Sequence, residues 1–320
     1  MAPPGQLRLC YSTSDPRIDI IAVQGLWANP KYTWLKDGVS WLADLLPQDL
    51  PEARIRSFGP AAIPTGLDLN FIFPMKNWAV VAAGLLLIAL LFPSVRFFAL
   101  TMVVVVGSLR GSLFLRKYLH NLQTTPSTEI QDQALSLLLQ LSQRDVDIPI
   151  VLIGHSFGGL VIKQALIMAA NDARFQDIYR SIAGTLFIGT PHRGTKLASA
   201  FRWGLWRSGA IRTVLEVQSG ILDELDRQFF ELPRVQDIMK NHSIHCFYEL
   251  EPTIYGPRFL RFFSMITVDK TSATWPDKPS IPVHGLAAKH SYLVKFSSRS
   301  DPNYRCIAQV LQDIARSQRI

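Results

Sequence analysis

Cysteine is scarce in this 320-residue chain: Cys10, Cys246 and Cys306 are the whole complement, widely spaced and without a C-x-x-C pair. A disulfide framework and a zinc-binding spacing are therefore not expected, and a reducing compartment is the modest inference. Neither G-x-G-x-x-G nor the P-loop pattern occurs, so nothing in the glycines calls for a nucleotide, and no metal or cofactor is expected. Met1 to Gln24 has few basic residues and no apolar run of signal-peptide length, so no cleaved secretory signal is expected. No internal repeat is present. Acidic residues are outnumbered, 25 against 33 basic ones, which leaves a formal charge of +8. Such a balance suits either nucleic acid or an anionic membrane surface. An apolar content of 48%, concentrated in one stretch, favours lipid and argues against nucleic acid.

That stretch consists of two charge-free runs, 78–92 and 97–109, interrupted only by Pro93 to Arg96. Each is shorter than the ~20 residues that cross a bilayer, whereas the two together are long enough. Lys76 on one side and Arg110, Arg116 and Lys117 on the other form a basic border of the kind that sits at lipid headgroups. We expect an inserted hydrophobic, membrane-associated segment over 70–120, folded as a hairpin near Pro93, because both its ends return to one domain.

The rest of the chain alternates strands and helices, the signature of a mostly parallel sheet. Strands are expected at 7–12, 17–23, 54–58, 148–153 and 184–188. A final strand pair is expected at 244–250 and 263–268. Helices are expected at 31–46, 130–141, 158–170 and 304–316. A helical cap over 195–241, rich in Phe and Trp, is expected to line an acyl pocket or to pack as core. The chain reads as a single domain over 1–320 carrying the insertion and the cap.

One motif carries chemistry. Gly154-His155-Ser156-Phe157-Gly158 lies between a buried strand and an apolar helix, which is the strand–turn–helix setting of a nucleophile elbow and implies the α/β-hydrolase fold. Small residues at Gly154 and Gly158 let the two backbones approach, and Ser156 is held at a helix N-terminus, where free N–H groups favour negative charge. The Phe157 amide is then one oxyanion donor. The Gln24-Gly25-Leu26 turn after the second strand is the candidate for the other, through the Leu26 amide. Gly25, His155 and His192 are the candidate residues lining the substrate site.

The chain order of this fold places the base in a loop after the last strand, where His284 and His290 compete; we choose His290. The acid must lie between Ser156 and the base at a strand end. Glu249 comes first, then Asp269, then Glu251, each with an alternative reading as a solvated strand-end charge.

Taken together, IDIIAVQGL with Thr33-Trp34, GHSFGGLVIKQAL, FIGTPHRGT, FYE at 247–249, VDKTSA, and His290 with Lys295-Phe296 resemble the serine esterases of the serine active site containing protein type, fungal forms included. The resemblance spans nearly the whole chain except the insertion. It implies an α/β-hydrolase with Ser156 and His290 in its site, Glu249 as the acid through its FYE context, and residues 189–194 as a loop lining the site. Gln24 stands where such proteins commonly have His. By resemblance the location is the endoplasmic reticulum or the mitochondrial membrane. The expected function is a membrane-associated serine hydrolase acting on a lipid-like carboxylic ester. The alternatives are a catalytically weak hydrolase-fold module for signalling or membrane binding, and a lipid acyltransferase.

Overall fold

The computed structural model describes residues 5–25, 32–60, 126–144, 148–195, 220–255 and 263–318. The expected membrane insertion over 70–120, the Leu26 amide and the first part of the expected cap lie outside the described residues. Among the described residues, no helix is long and apolar enough to cross a membrane.

The elements in chain order are strands β1 (Gly5–Ser12), β2 (Ile18–Val23), β3 (Leu35–Lys36) and β4 (Val39–Ser40), then the short helix α1 (Leu46–Asp49) and strand β5 (Ala53–Pro60). Helix α2 (Pro126–Leu141), strand β6 (Ile150–His155), helices α3 (Phe157–Asn171) and α4 (Gln176–Ser181) and strand β7 (Ile182–Ile188) follow. The remainder comprises α5 (Gly220–Glu231), α6 (Pro233–Lys240), β8 (Ile244–Glu249), β9 (Thr253–Tyr255), β10 (Phe263–Met265), α7 (Lys270–Ala273), β11 (Val283–Leu286) and α8 (Pro302–Ser317).

Seven of the strands form one sheet in the order β1-β5-β2-β6-β7-β8-β11. Every neighbouring pair is parallel except β1 with β5. The inner strands β2, β6 and β7 are buried along their whole length, as near-continuous apolar runs covered on both faces should be. The charged exception is Asp19 in β2, whose buried carboxylate is held by Arg54 and Arg56 of the adjacent β5.

Two apolar clusters cover the faces. One gathers Phe58, Phe175, Phe187, Phe229 and Trp275 with the buried sides of α2, α3, α5 and α6. The other gathers Trp34, Trp41, Phe247, Phe296 and Tyr304 with α8. Chain order reverses at β2: β5 lies on one side of it and β6 on the other. In open α/β sheets the crevice at such a reversal, beyond the carboxyl ends of the strands, is where ligands bind.

Two expectations need correction. The helix expected over 31–46 is a two-strand hairpin, β3 with β4, followed by a π-helical turn at Trp41–Leu45 and then α1. Asp37 and Gly38 both take positive φ, +51° and +83°, the left-handed pair that a tight two-residue hairpin turn needs and that an Asp-Gly dipeptide supplies. The apolar spacing that suggested a helix comes from Trp34, Trp41, Leu42, Leu45 and Leu46 entering one core from both the hairpin and the turn. The second correction concerns the last strand pair. β8 pairs with β11 in the main sheet, whereas residues 263–265 pair with 253–255 as a separate two-stranded ribbon.

Candidate active site

Ser156 sits at the junction of β6 and α3 with φ +54° and ψ −127°, a sparsely populated conformation for a residue with a side chain, at a cost of roughly 1–3 kcal/mol. Its surroundings enforce it. A Cβ on Gly154 would come within 2.6 Å of Gly159 Cα, and one on Gly158 would come within 2.3 Å of the Val23 carbonyl oxygen. Only hydrogen fits at either position, so β6, β2 and the start of α3 converge on the bend. The Ser156 amide donates to the Ile188 carbonyl at 2.9 Å, fixing the bend to the end of β7.

The imidazole arrives from the far end of the chain. β11 ends at Leu286, and the short turn His290–Tyr292 brings His290 Nε2 to 3.1 Å from Ser156 Oγ. Behind it, His290 Nδ1 faces Glu249 Oε2 at 3.5 Å, without the alignment of a formed hydrogen bond. The Glu249 side chain is fully buried at the end of β8, and its other oxygen accepts the Val268 amide at 2.7 Å. β8 and β11 are sheet neighbours, with Glu249 opposite Leu286, so the acid and the loop that carries the imidazole leave the sheet side by side.

The other candidates lie elsewhere. Asp269 caps α7, accepting the Ser272 amide at 2.9 Å, and Glu251 is exposed. His284 lies within β11, stacked on Phe247 with ring centroids 4.7 Å apart, and its Nε2 is 3.1 Å from His245 Nδ1. Phe157, nearly buried, is the first residue of α3, and an amide in a first helical turn has no intrahelical acceptor. Gly25 packs directly beneath the nucleophile: a Cβ there would stand 3.0 Å from Ser156 Cβ. Beside it, Gln24 is buried, with its Oε1 accepting from the Thr33 hydroxyl at 3.4 Å.

The two histidines expected at the substrate site are both buried. His155 lies under His290, its Nε2 3.3 Å from the His290 carbonyl oxygen, with Trp34 edge-on to its ring. Burial, and then the neighbouring His290, push its pKa down to about 3. His192 lies against Trp275 with ring centroids 3.7 Å apart and planes tilted by 35°, and it meets Phe187 edge-on. Among the described residues neither of its ring nitrogens has a hydrogen-bond partner, and burial holds its pKa well below the ordinary histidine value.

A cleft of about 840 Å³ opens beyond Trp275, lined by Arg193, Thr195, Asp226, Phe230 and Thr267 among others. The described part of the expected cap borders it through α5, which turns Leu222, Leu225 and Phe229 into the core and presents Asp223, Asp226, Arg227, Phe230 and Glu231 to the cleft. Its large apolar residues are thus mostly packing, and the lining it contributes is mainly charged. Sequence reasoning missed a feature at this cleft. Lys163 of α3 is fully buried and pairs with Asp226 of α5, while Trp275 Nε1 donates to the other Asp226 oxygen at 2.6 Å. A lysine on an otherwise apolar helix face was the available signal, since a buried ammonium requires a partner.

A parallel sheet with one antiparallel edge strand, a serine on a forced strand-to-helix bend, and a histidine supplied after the last strand define the α/β-hydrolase fold. No protein-family model matches the chain. Over 112 residues, 34% of this chain and 16% of the relative, the sequence is 29% identical to Protein SERAC1 of Danio rerio. Over 113 residues, again 34% of this chain and 16% of the relative, it is 31% identical to Protein SERAC1 of Homo sapiens. The match thus spans about a sixth of the length of these curated relatives. Among solved structures, the mature form of lipase BlEst2 from Bacillus licheniformis aligns over 98% of each chain at 15% identity, with a TM-score of 0.43. Est1E from Butyrivibrio proteoclasticus aligns over 98% of this chain and 93% of its own at 9% identity, with a TM-score of 0.42.

Proposed function

We propose that the chain is a serine hydrolase that cleaves carboxylic esters, lipid-like ones in particular, through an acyl-enzyme. The observation that carries this reading is the Ser156 hydroxyl on its strained bend, 3.1 Å from His290 Nε2. That distance lies within the reach a general base needs. Ser156 Oγ attacks the ester carbonyl as His290 Nε2 takes its proton, and the electron pair of the carbonyl moves onto oxygen. The amide of Phe157 stabilises that oxyanion, and the amide of Leu26 is the proposed second donor. Collapse of the intermediate breaks the ester C–O bond, and His290 returns the proton to the departing alcohol. Water, deprotonated by His290 in turn, then attacks the acyl-enzyme, the acyl C–Oγ bond breaks, and His290 returns the proton to Ser156 Oγ as the acid leaves. Glu249 keeps the imidazole in the tautomer with hydrogen on Nδ1 and offsets the charge that forms on the ring.

The lipid-like substrate and the membrane association rest on the charge-free runs within 70–120 and their basic borders. A fluorophosphonate probe tests the chemistry: it should label wild type and spare Ser156→Ala. Absence of labelling in wild type, or labelling that persists in Ser156→Ala, refutes the nucleophile. Alkaline carbonate extraction tests the membrane association, and full release into the soluble fraction refutes it.

A further inference from the structure

We infer that His155 is a positioning residue, whose Nε2–H holds the backbone of His290 so that the imidazole meets Ser156. The inference rests on the hydrolase reading above and adds to it a device that ties the base to the nucleophile.

His155 is the last residue of β6, immediately before Ser156, and its side chain is 7% exposed. The ring lies against His290, with centroids 5.4 Å apart and planes tilted by 34°. Nε2 is 3.3 Å from the His290 carbonyl oxygen. A carbonyl only accepts, so Nε2 must be the nitrogen that bears the hydrogen. The other nitrogen, Nδ1, is buried and has no partner among the described residues; in the neutral ring it carries no hydrogen. Burial beside His290 keeps the ring in that neutral form. The two histidines therefore do not compete as cations when His290 takes a proton.

The turn that carries His290 is held by its own backbone bonds, Tyr292 N to the Lys289 carbonyl at 2.8 Å, Leu293 N to the His290 carbonyl at 3.3 Å and Lys295 N to the Tyr292 carbonyl at 3.2 Å. Just beyond it Leu293 and Val294 are buried, and Trp41 Nε1 donates to the Val294 carbonyl at 2.9 Å. The His290 carbonyl thus accepts from two directions, from its own turn and from the residue next to the nucleophile. Ser156 and His290 lie 134 positions apart in sequence, and His155 joins the strand that presents one to the turn that presents the other. Trp34 meets the ring edge-on with centroids 6.4 Å apart, and Trp41 meets Trp34 edge-on at 6.0 Å, so the buried imidazole is packed among aromatic rings. A misplacement of about 1 Å between nucleophile and base costs on the order of 100-fold in rate.

The test uses glutamine and asparagine, which separate the two ring nitrogens. The Gln amide nitrogen occupies the place of Nε2, whereas that of Asn occupies the place of Nδ1 and falls short of the carbonyl. The full chain is assayed on p-nitrophenyl butyrate and with a fluorophosphonate, alongside thermal unfolding. His155→Phe and His155→Asn should lower kcat roughly 10- to 100-fold with KM within about twofold, and slow fluorophosphonate labelling in proportion. His155→Gln should recover most of that loss. A purely structural role would lower Gln and Asn alike, in step with their melting temperatures, and that result overturns the inference. So does a loss confined to KM, which would make His155 a substrate contact. A wild type that resists the fluorophosphonate defeats the nucleophile reading and this inference with it. A labelled wild type with equal Gln and Asn defeats the positioning role alone.

Discussion

Two buried histidines, His155 and His192, and the half-buried His245 make acid sensitivity the sharpest consequence of this packing. The pKa of His155 falls to about 3 and that of His245 to about 4, while His192 lies well below the ordinary value, burial being the largest cause in each case. In the unfolded chain each titrates near 6.5. A group whose folded pKa is depressed binds its proton first in the unfolded state. Its stability contribution is therefore intact above pH 6.5 and is lost as the pH falls towards the folded pKa. At pH 5 His155 and His245 each cost about 2 kcal/mol, so the two together remove roughly 4 kcal/mol against a typical total of 5–15 kcal/mol, and His192 adds to the loss in the same direction. Carboxylates held low by ion pairs, such as Asp49 beside Arg299 and Tyr304, protonate only at still lower pH, which leaves a window between about pH 6.5 and 4.5 to the histidines. Urea titrations at pH 8, 6.5, 5.5 and 5 should show the midpoint falling steeply below pH 6.5. His192→Phe keeps the ring contact with Trp275 and removes two nitrogens that have no partner among the described residues, so it should match or exceed wild type by ~1 kcal/mol at pH 8. At pH 5 its advantage should be larger, because wild type alone carries the depressed His192. A midpoint that stays flat from pH 8 to 5, or a Phe variant equally destabilised at both extremes, refutes the reasoning.

Glu249→Gln keeps the shape of the acid and removes its charge; kcat on p-nitrophenyl butyrate should fall on the order of 100- to 10,000-fold with the fold intact by circular dichroism, whereas Asp269→Asn should leave kcat within a few-fold. Asp226→Asn strands the ammonium of Lys163 in the core and should destabilise by about 3–5 kcal/mol in urea titrations. The double change Lys163→Met with Asp226→Leu should recover most of that loss, because two apolar side chains leave no buried charge without a partner.

What the linear chain settled by itself is local. Gly154 and Gly158 around Ser156, after a run of buried β-branched residues and before a helix, sufficed to suggest the bend; the contact that demands glycine at 154 is local, with Gly159, whereas the one at 158 is with the Val23 carbonyl of β2. The full burial of β2 and β6 followed from their nearly unbroken apolar runs, whereas β11, which holds His284 and leaves His290 in the loop beyond it, was not among the expected strands. Asp37-Gly38 was equally legible as a hairpin, but the tryptophan and leucine spacing around it imitates a helix when the two sides of a shared core are read as one face.

Of Glu249, Asp269 and Glu251, only the tertiary structure showed which stands beside the His290 imidazole. All three are carboxylates near strand ends, and what separates them is that β8 lies beside β11 in the sheet, which turns Glu249 towards the imidazole and leaves Asp269 to cap a helix and Glu251 in solvent. The same holds for Lys163 with Asp226, 63 positions apart, and for His155 beneath a carbonyl 135 positions away. Partnerships of this kind depend on which strands and helices become neighbours across the sheet, a property of the assembled layers that no local spacing encodes.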